Sequence, residues 1–304
     1  MLQLDALAPI LDGLGLLPAL SADRLPGGSG ASWRIDLEGG AAVVLKIYDD
    51  RKNLPRHDTH VARLLAALDL PVTQYLLVDD SQTRLPFRFA LTNFIPGGPA
   101  TAFASHRHYH DLFRQIGGLA SKLHSIAMPA FGSFPNPAYS EHSDYIRSLA
   151  DHAFGQCLAH GADPTLLARL QRIFDSDFAA IVPVTTQAVF AHDDLHPGNV
   201  LAVETDAGLS ISGLIDFGNA RASCAVMDLA KTIFICEHDA PGSGAAILEG
   251  YGAIDHPSPT EALAFYTLLH RLIMWWWLRH VGVIESADAD SDIMTALRIT
   301  ASAR

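Results

Sequence analysis

Three polar residues in the second half of the sequence have the types and the spacing of a phosphoryl-transfer site. Asp194 stands five residues before Asn199, and Asp216 follows Asp194 by twenty-two residues. One carboxylate can orient a substrate hydroxyl, while an amide and a second carboxylate supply the oxygen ligands that Mg²⁺ prefers. The surrounding motifs are HDDLHPGN at 192–199 and LIDFG at 214–218. Each motif alone is weak evidence, but the two together predict phosphoryl transfer.

Two features nearer the N-terminus fit the phosphate side of such a site. Lys46 lies on a predicted strand, and a lysine in an apolar strand needs a counter-charge, which nucleotide phosphates would supply. The alternative is an edge strand with Lys46 facing solvent. A glycine-rich turn precedes the hairpin that carries this lysine, and its backbone N–H groups and hydroxyls can approach phosphate oxygens. The residues of that turn are Gly27, Gly28, Ser29, Gly30 and Ser32.

The elements that must position these residues change in character near residue 96. Hydrophobic periodicity and turn signals in the first third predict helices over 3–20 and 56–69 and strands over 33–37, 41–48, 75–78 and 87–92. After a proline- and glycine-rich breaker the pattern predicts helices over 108–126, 140–160, 163–181, 243–252, 258–282 and 288–302. Strands are expected there only beside the two motifs, near 200–204 and 210–215. This order predicts an α+β fold with an N-lobe over 1–95 and a C-lobe over 96–304.

Composition narrows the class of protein and its partners. The chain has 304 residues, a formal net charge of −12 and 49% hydrophobic residues, which fits a globular protein with sizeable cores. The charge would repel nucleic acid and anionic membranes and attract a cationic small substrate, although a negative balance also simply favours solubility. No apolar run is long enough to span a bilayer, and the first residues lack the basic segment of a signal peptide.

The three cysteines show no CxxC pair, so they favour a reducing compartment. This favours a cytoplasmic protein. We also expect a monomer or a homodimer, and, from the net charge, no binding to nucleic acid or membrane.

The motifs resemble those of the aminoglycoside phosphotransferase and choline-kinase-like family, which has the two-lobed protein-kinase-like fold. The resemblance extends over about residues 25–230. It implies that Asp194 is the catalytic base, that Asn199 and Asp216 bind Mg²⁺, and that Lys46 contacts the α and β phosphates of a nucleotide. The glycine-rich turn would cover the phosphates. The N-lobe would then bind the nucleotide, and the C-lobe would carry the catalytic loop and the acceptor site.

The same resemblance implies roles for two further segments. Asn93 and Ile95 lie in the segment that corresponds to the hinge, whose backbone would contact the adenine ring. Asp228, in the sequence MDLA, corresponds to the buried aspartate that follows the metal-binding motif.

The sequence departs from the family pattern at two places. Asp193 replaces the usual small residue before the base, and it could raise the pKa of the base or simply point outward. The family normally places a Glu on the following helix as the partner of Lys46. Here the best-placed carboxylate is Asp58, which is one methylene shorter, and His60 is the next candidate.

Residues that could bind the acceptor are expected in the C-lobe. Glu237, His238 and Asp239 closely follow the Asp228 segment and would form an acidic pocket for a cationic acceptor; a solvated helix end is an equal alternative. Trp276, in a run of three tryptophans, would stack on a sugar or a cation, unless it belongs to the core.

The resemblance implies Mg²⁺-dependent transfer of the γ-phosphate of ATP or GTP to a hydroxyl of a small molecule. The first expectation for the acceptor is an aminoglycoside-like or other antibiotic alcohol, which would make the protein an antibiotic-resistance enzyme. Choline-, homoserine- or sugar-type alcohols are the alternative acceptors. A protein kinase is disfavoured because only eleven residues lead from Asp216 to Met227, too few for a peptide-docking loop. An inactive nucleotide-binding regulator ranks last, because all the groups needed at the phosphate are present.

Overall fold

The computed structural model describes residues 3–25, 31–48, 54–66, 70–287 and 291–303. The helices are α1 Ala8–Gly13, α2 Leu54–Leu65, α3 Tyr109–His124, α4 His142–Ala159, α5 Pro164–Ile181, α6 Ala225–Asp239, α7 Ser243–Tyr251, α8 Pro259–His280 and α9 Asp292–Ser302. The strands are β1 Ala19–Arg24, β2 Ala31–Leu37, β3 Ala42–Ile47, β4 Tyr75–Asp79, β5 Phe89–Asn93, β6 Gly98–Pro99, β7 Ala127–Met128, β8 Gly132–Ser133, β9 Ala188–Ala191, β10 Val200–Thr205, β11 Gly208–Leu214 and β12 Arg221–Ser223.

The chain divides into two compact units. The first comprises Met1–Leu112 and Pro197–Asn219, and the second comprises Phe113–His196 and Ala220–Arg304. The hairpin of β10 and β11 therefore belongs to the same unit as the N-terminal strands. The lobe boundary expected between residues 95 and 96 stays a prediction.

The first unit contains a five-stranded antiparallel sheet in the order β1–β2–β3–β5–β4. Because β3 has a neighbour on each side, Lys46 does not lie on an edge strand, and that alternative is excluded. Side chains alternate between the two faces of a strand, so Val43 and Leu45 enter the core while Lys46 points from the opposite face. The core between this sheet and α1 consists of Leu7, Ile10, Leu11, Ile35, Leu37, Val43, Leu45, Leu85, Phe89 and Leu91.

The second unit is built around α8, which contacts α4, α5, α6 and α9. Tyr266 and Trp275 of α8 are fully buried, and Phe265 stacks on Phe174 of α5 with 4.7 Å between the ring centroids. Short strands form a sheet in the order β7–β9–β12–β8. Among the helices of the described residues, none has the length and apolar character that crossing a bilayer requires.

The helix predicted over 3–20 is wrong in its second half. α1 ends at Gly13, Gly15 has a φ of +68°, and the chain then pairs as β1 with β2. Two glycines and Pro18 interrupt the helical period, so pairing with β2 outweighs the helix propensity of the neighbouring leucine and alanine residues.

The chain after residue 96 contains more strands than the sequence predicts. β6, β7, β8, β9 and β12 are two to four residues long, too short to show alternation, and β9 is buried at every position. α6 is also missing from the predicted helices; it follows Cys224, which is not one of the residues that usually signal a helix start. The predicted α+β class is confirmed.

Candidate active site

The two predicted metal ligands lie beside each other at one end of the β10–β11 hairpin. Val200 pairs with Leu214, and the next residue, Ile215, donates its N–H to the carbonyl oxygen of Asn199 at 3.0 Å. Asn199 is buried, whereas the Asp216 side chain is 49% exposed. The hairpin thus brings an amide and an accessible carboxylate to one end of a rigid element.

The backbone of Asp216 has an unusual conformation. Its φ is +58°, in the left-handed region that non-glycine residues seldom occupy. A Cβ added at Gly218 would lie 3.2 Å from Asp216 Oδ1, so a side chain at that position would crowd the carboxylate. Phe217 is fully buried, and its turn contacts α2. Outliers of this kind are concentrated at functional sites, where the surrounding packing holds them in place.

Lys46 lies between two carboxylates. Its Nζ is 3.4 Å from Asp58 Oδ2 and 3.7 Å from Asp216 Oδ1. The lysine extends from β3, Asp58 from α2 and Asp216 from the hairpin, so one ammonium group links three elements of the first unit. We call these three residues the Lys46 cluster.

Asp58 is the partner of Lys46 on α2, and it is fully buried. Its carboxylate accepts hydrogen bonds from the Tyr48 hydroxyl at 2.7 Å and from His57 Nδ1 at 3.1 Å. Burial alone would raise the pKa of Asp58, but the His57 hydrogen bond, the charge of Lys46 and the Tyr48 hydroxyl together lower it below its ordinary value. Asp58 therefore stays ionised despite its burial. His60, the other sequence candidate, does not occupy this position.

The glycine-rich turn joins β1 to β2, and Gly27, Gly28, Ser29 and Gly30 lie outside the described residues. Ser32 is described and pairs with Lys46 across the β2–β3 ladder. Directly opposite residues place their side chains on the same face of a sheet. The Ser32 hydroxyl therefore shares the face from which the Lys46 ammonium projects.

The two residues predicted to lie in the hinge, Asn93 and Ile95, differ in their hydrogen bonding. Asn93 ties β5 to the residue before β4, because its Oδ1 accepts the N–H of Gln74 at 2.8 Å. Ile95 packs so closely on Gly213 that a Cβ there would come within 2.7 Å of its side chain. Within the described parts of the chain, the main-chain N–H and C=O of Ile95 make no hydrogen bond. The Asn93 side chain is thus engaged within the first unit, whereas the Ile95 main chain has no hydrogen bond to another described residue.

In the second unit, the loop that carries Asp194 is fixed through its backbone. The N–H groups of His192 and Asp193 donate to the two carboxylate oxygens of Asp228, at 3.0 and 2.8 Å. Asp228 lies in the first turn of α6 and is 1% exposed. One buried carboxylate therefore holds both peptide groups that precede the expected base.

A histidine of α3 completes the environment of Asp228. His124 donates from Nε2 to Asp228 Oδ2 at 2.9 Å, and its Nδ1 lies 3.0 Å from the Tyr251 hydroxyl. Burial would raise the pKa of Asp228, but the hydrogen bond and charge of His124, with the neighbouring His192 and the Asp193 N–H, lower it to about 2. Asp228 is therefore ionised across the physiological range.

Asp193 does not point outward. Its φ is +54°, and its carboxylate, 9% exposed, lies 3.0 Å from an Arg221 guanidinium nitrogen and 3.6 Å from Lys231 Nζ. Lys231 also donates to the Asp193 carbonyl oxygen. Asp193, more than any other group, raises the pKa of Arg221. The extra carboxylate is thus bound by two cations.

Asp194 has a partly exposed side chain, at 26%, and two basic neighbours. Lys231 Nζ is 3.9 Å from Oδ1, and His196 Nε2 is 4.0 Å from Oδ2. Sequence reasoning missed Lys231, although its position three residues after Asp228 places it on the same face of α6. We call Lys231, Asp193, Asp194 and Arg221 the Lys231 cluster.

The predicted acidic pocket is altered by the structure. The carboxylate of Glu237 accepts the N–H of Gly242 at 2.9 Å and that of Gly244 at 2.6 Å, and so caps the start of α7. His238 and Asp239 are exposed at the end of α6. The carboxylate of Glu237 is therefore already bound within the protein.

The three consecutive tryptophans have three different environments. Trp275 is fully buried, Trp277 is 42% exposed, and Trp276 lies between these extremes. The Trp276 ring faces His152 of α4 and His160, the residue that follows α4, with 5.5 and 6.1 Å between ring centroids. These contacts do not include the loop that carries the expected base.

Comparisons with known proteins can now be set beside this geometry. The family model described as the phosphotransferase enzyme family, APH, matches residues 22–264. No curated protein matches the chain. A thermostable mutant of aminoglycoside phosphotransferase APH(4)-Ia, in ternary complex with AMP-PNP and hygromycin B, has 17% identity and a TM-score of 0.70, covering 97% of this chain and 96% of that chain.

Two further solved structures are similar over almost their whole length. The GDP and kanamycin complex of APH(2")-IIIa has 14% identity and a TM-score of 0.61, covering 99% of this chain and 98% of that chain. Macrolide 2'-phosphotransferase MphH from Brachybacterium faecium has 17% identity and a TM-score of 0.63, covering 99% and 97%. At these identities the likeness shows the fold, and the protein-kinase-like fold predicted from the sequence is confirmed.

Proposed function

Since this chain belongs to the phosphotransferase enzyme family and is a small-molecule phosphotransferase, we propose that it transfers the γ-phosphate of ATP or GTP to a hydroxyl of its substrate with the help of Mg²⁺. The observation that carries this proposal is the Lys46 cluster. An ammonium group that is held by a buried carboxylate, and that lies 3.7 Å from the aspartate of the LIDFG motif, is suited to nucleotide phosphates beside a metal ion.

The donor set of the hairpin fits Mg²⁺. Asn199 and Asp216 offer an amide oxygen and a carboxylate at one end of a rigid hairpin, and Mg²⁺ commonly takes few protein oxygens together with phosphate oxygens and water. Bound there, the ion would neutralise charge on the phosphate oxygens. Lys46 lies 3.7 Å from Asp216 Oδ1, and Asp216 and Asn199 are the residues that would hold the ion.

Asp194 is proposed as the base. As the acceptor oxygen bonds to the γ-phosphorus, the bond from that phosphorus to the β,γ-bridging oxygen breaks, the nucleoside diphosphate leaves, and the hydroxyl proton moves to Asp194. The carboxylate is partly exposed, and the backbone before it is fixed by Asp228. Asp193 is bound by two cations and is 9% exposed, whereas Asp194 is 26% exposed and is the more accessible carboxylate of this loop.

The remaining nucleotide contacts are assigned to the sheet of the first unit. Ser32 and the preceding residues Gly27, Gly28, Ser29 and Gly30 would contact the phosphates, because Ser32 shares a sheet face with Lys46. The Ile95 main chain would contact the base. Solved structures of the same fold contain AMP-PNP in one case and GDP in another, so both ATP and GTP are tested.

We propose a hydroxylated antibiotic as the acceptor class. Proteins of this fold have been solved with hygromycin B and with kanamycin, and a third is a macrolide 2'-phosphotransferase. His238, Asp239 and Trp276 are proposed acceptor contacts in the second unit, whereas Glu237 contributes less because its carboxylate caps α7. A cytoplasmic location and a monomeric or dimeric state stay predictions.

The test is nucleoside diphosphate release, measured with ATP and with GTP against a panel of acceptors. The panel contains kanamycin, hygromycin B, a macrolide, choline, homoserine and simple sugars, each with Mg²⁺ and with EDTA. We expect release that requires Mg²⁺ and one of the antibiotics. Release only with choline, homoserine or a sugar would replace the proposed acceptor class. No acceptor-dependent release, together with no thermal stabilisation by Mg²⁺ and nucleotide, would overturn the function.

A further inference from the structure

Lys231 lies beside the expected base, but the proposed transfer step gives it no role. Its ammonium donates to the Asp193 carbonyl, lies 3.6 Å from Asp193 Oδ2 and 3.9 Å from Asp194 Oδ1, and its side chain is 13% exposed. An ammonium group removed from water is costly unless carboxylates compensate it. Here two carboxylates do so, and one of them belongs to the expected base.

Asp193 holds Lys231 in this position. The backbone φ of +54° at Asp193 would suit a glycine, which lacks the steric penalty of a side chain there. An aspartate at this position adds a buried carboxylate that pairs with Lys231 on one side and with Arg221 on the other. The side chain of Asp193 is therefore directed at two cations.

The orientation of Asp194 follows from this arrangement. Lys231 lies nearest to Oδ1, and the basic group nearest to Oδ2 is His196 Nε2, at 4.0 Å. A carboxylate with one oxygen beside a fixed ammonium loses rotational freedom. The other oxygen is then presented in one direction, as an acceptor hydroxyl requires.

We propose that Lys231 is a positioning residue for Asp194, and that Asp193 acts through Lys231 by holding its ammonium in place. The inference rests on the proposed function, since it takes Asp194 as the base. It predicts that the loss of Lys231 slows the transfer step without weakening nucleotide binding.

The experiment compares wild type with Lys231→Met, Lys231→Arg, Asp193→Asn and the double variant Lys231→Met/Asp193→Asn. The acceptors are kanamycin and hygromycin B, with basal hydrolysis of ATP and GTP as the readout where neither is phosphorylated. Each variant is also assayed for thermal stabilisation by Mg²⁺ and ADP or GDP. Lys122→Met, which alters an exposed lysine of α3, is the matched control.

We expect Lys231→Met to lower kcat by about 10²-fold, in line with the cost of small misplacements, while KM for the nucleotide stays within about twofold. Lys231→Arg should restore part of kcat because it keeps the charge. Asparagine tolerates the left-handed backbone, so Asp193→Asn should fold and lower kcat by about tenfold. In the double variant Asp193→Asn should cost little more than Lys231→Met alone, because its effect passes through the lysine.

Several results would overturn the inference. A near-wild-type kcat in Lys231→Met would overturn it. So would kcat losses that are proportional to the decrease in Tm and that are additive in the double variant. If Lys231→Met does not fold, unchanged kcat in Asp193→Asn decides against it. Wild-type protein without any Mg²⁺-dependent diphosphate release would contradict the proposed function instead, so the two failures are distinguishable.

Discussion

The Lys46 cluster of the first unit and the Lys231 cluster of the second share one design, a lysine between two aspartates. Lys46 lies between Asp58 and Asp216, and Lys231 lies between Asp193 and Asp194. In each case one aspartate is buried, and the other is more exposed and is assigned to chemistry. The buried aspartate fixes the lysine, and the lysine in turn restrains the more exposed carboxylate.

The difference between the clusters lies in what supports the buried aspartate. Asp58 is supported by the neutral hydroxyl of Tyr48 and by His57, whereas Asp193 is supported by the second cation, Arg221. The Lys46 cluster has one lysine and two aspartates, so its formal charge is negative. The Lys231 cluster has two basic residues and two aspartates, so its formal charge is zero. A negative cluster attracts a divalent cation, and a neutral one leaves an uncharged hydroxyl undisturbed. This difference supports the proposed metal binding at the first cluster and the proposed acceptor activation at the second.

Removal of the base should separate the two clusters most sharply. Asp194→Ala is expected to lower kcat by about 10³-fold, the range for loss of a general base, while stabilisation by Mg²⁺ and nucleotide remains. The measurement combines steady-state kinetics with thermal shift. Asp151→Ala, an exposed aspartate of α4, is the control. Near-normal turnover in Asp194→Ala would remove this residue from the role of base.

The reciprocal change should disable the first cluster. Asp216→Ala is expected to weaken Mg²⁺-dependent nucleotide binding by about 10²-fold, because it removes one of the two proposed oxygen ligands and the contact with Lys46. Calorimetric titration with ADP at several Mg²⁺ concentrations measures this. Asp206→Ala changes the exposed turn at the other end of the same hairpin and should have no effect. Nucleotide affinity that stays unchanged in Asp216→Ala would break the assignment of the metal to this cluster.

The support of the base-carrying loop should appear in the pH dependence of stability. The pKa of Asp228 is lowered from 3.8 to about 2 in the folded protein. A lowered carboxyl pKa contributes stability above the unfolded value, and this contribution disappears as the pH falls from about 4 to about 2. The loss amounts to roughly 2 kcal/mol. Urea unfolding of wild type and Asp228→Asn between pH 5 and pH 2 should show a flatter curve for the variant, and parallel curves would contradict the account.

The smallest effect is expected at a carboxylate outside both clusters. Glu237→Ala should destabilise the protein by about 1 kcal/mol through loss of the α7 cap, with kcat unchanged. Thermal unfolding and steady-state kinetics measure the two effects, and Glu285→Ala, which alters an exposed carboxylate in the loop after α8, serves for comparison. A higher KM for kanamycin with unchanged Tm would instead support the acidic pocket predicted from the sequence.

Sequence reasoning succeeded where the relevant information is local. The spacing of Asp194, Asn199 and Asp216 depends on one loop and one hairpin, so the motif predicts the elements that carry them. The strand of Lys46 is a short apolar run that follows a glycine-rich turn signal, and this pattern predicts the strand correctly. Whether these residues have the assigned roles stays a prediction that the variants above test.

It failed where a contact depends on distant parts of the chain. The direction of the Asp193 side chain depends on its left-handed backbone conformation and on Arg221, which lies in β12. Lys231 gains its importance only once Asp228 has anchored the loop beside α6. Glu237 caps α7 by accepting the N–H groups of Gly242 and Gly244, which lie five and seven residues after it. This spacing differs from that of a local N-cap, so the sequence does not reveal the contact.

The pairing of Asp193 with two cations also limits the order in which these positions can diverge among descendants of this chain. Loss of Lys231 first leaves Asp193 paired with Arg221, so the intermediate keeps a compensated interior. Loss of Asp193 first takes the shared partner from both cations and so disturbs two ion pairs at once. Evolutionary paths away from this arrangement should therefore begin at the lysine, and the aspartate should be the last of the three to be replaced.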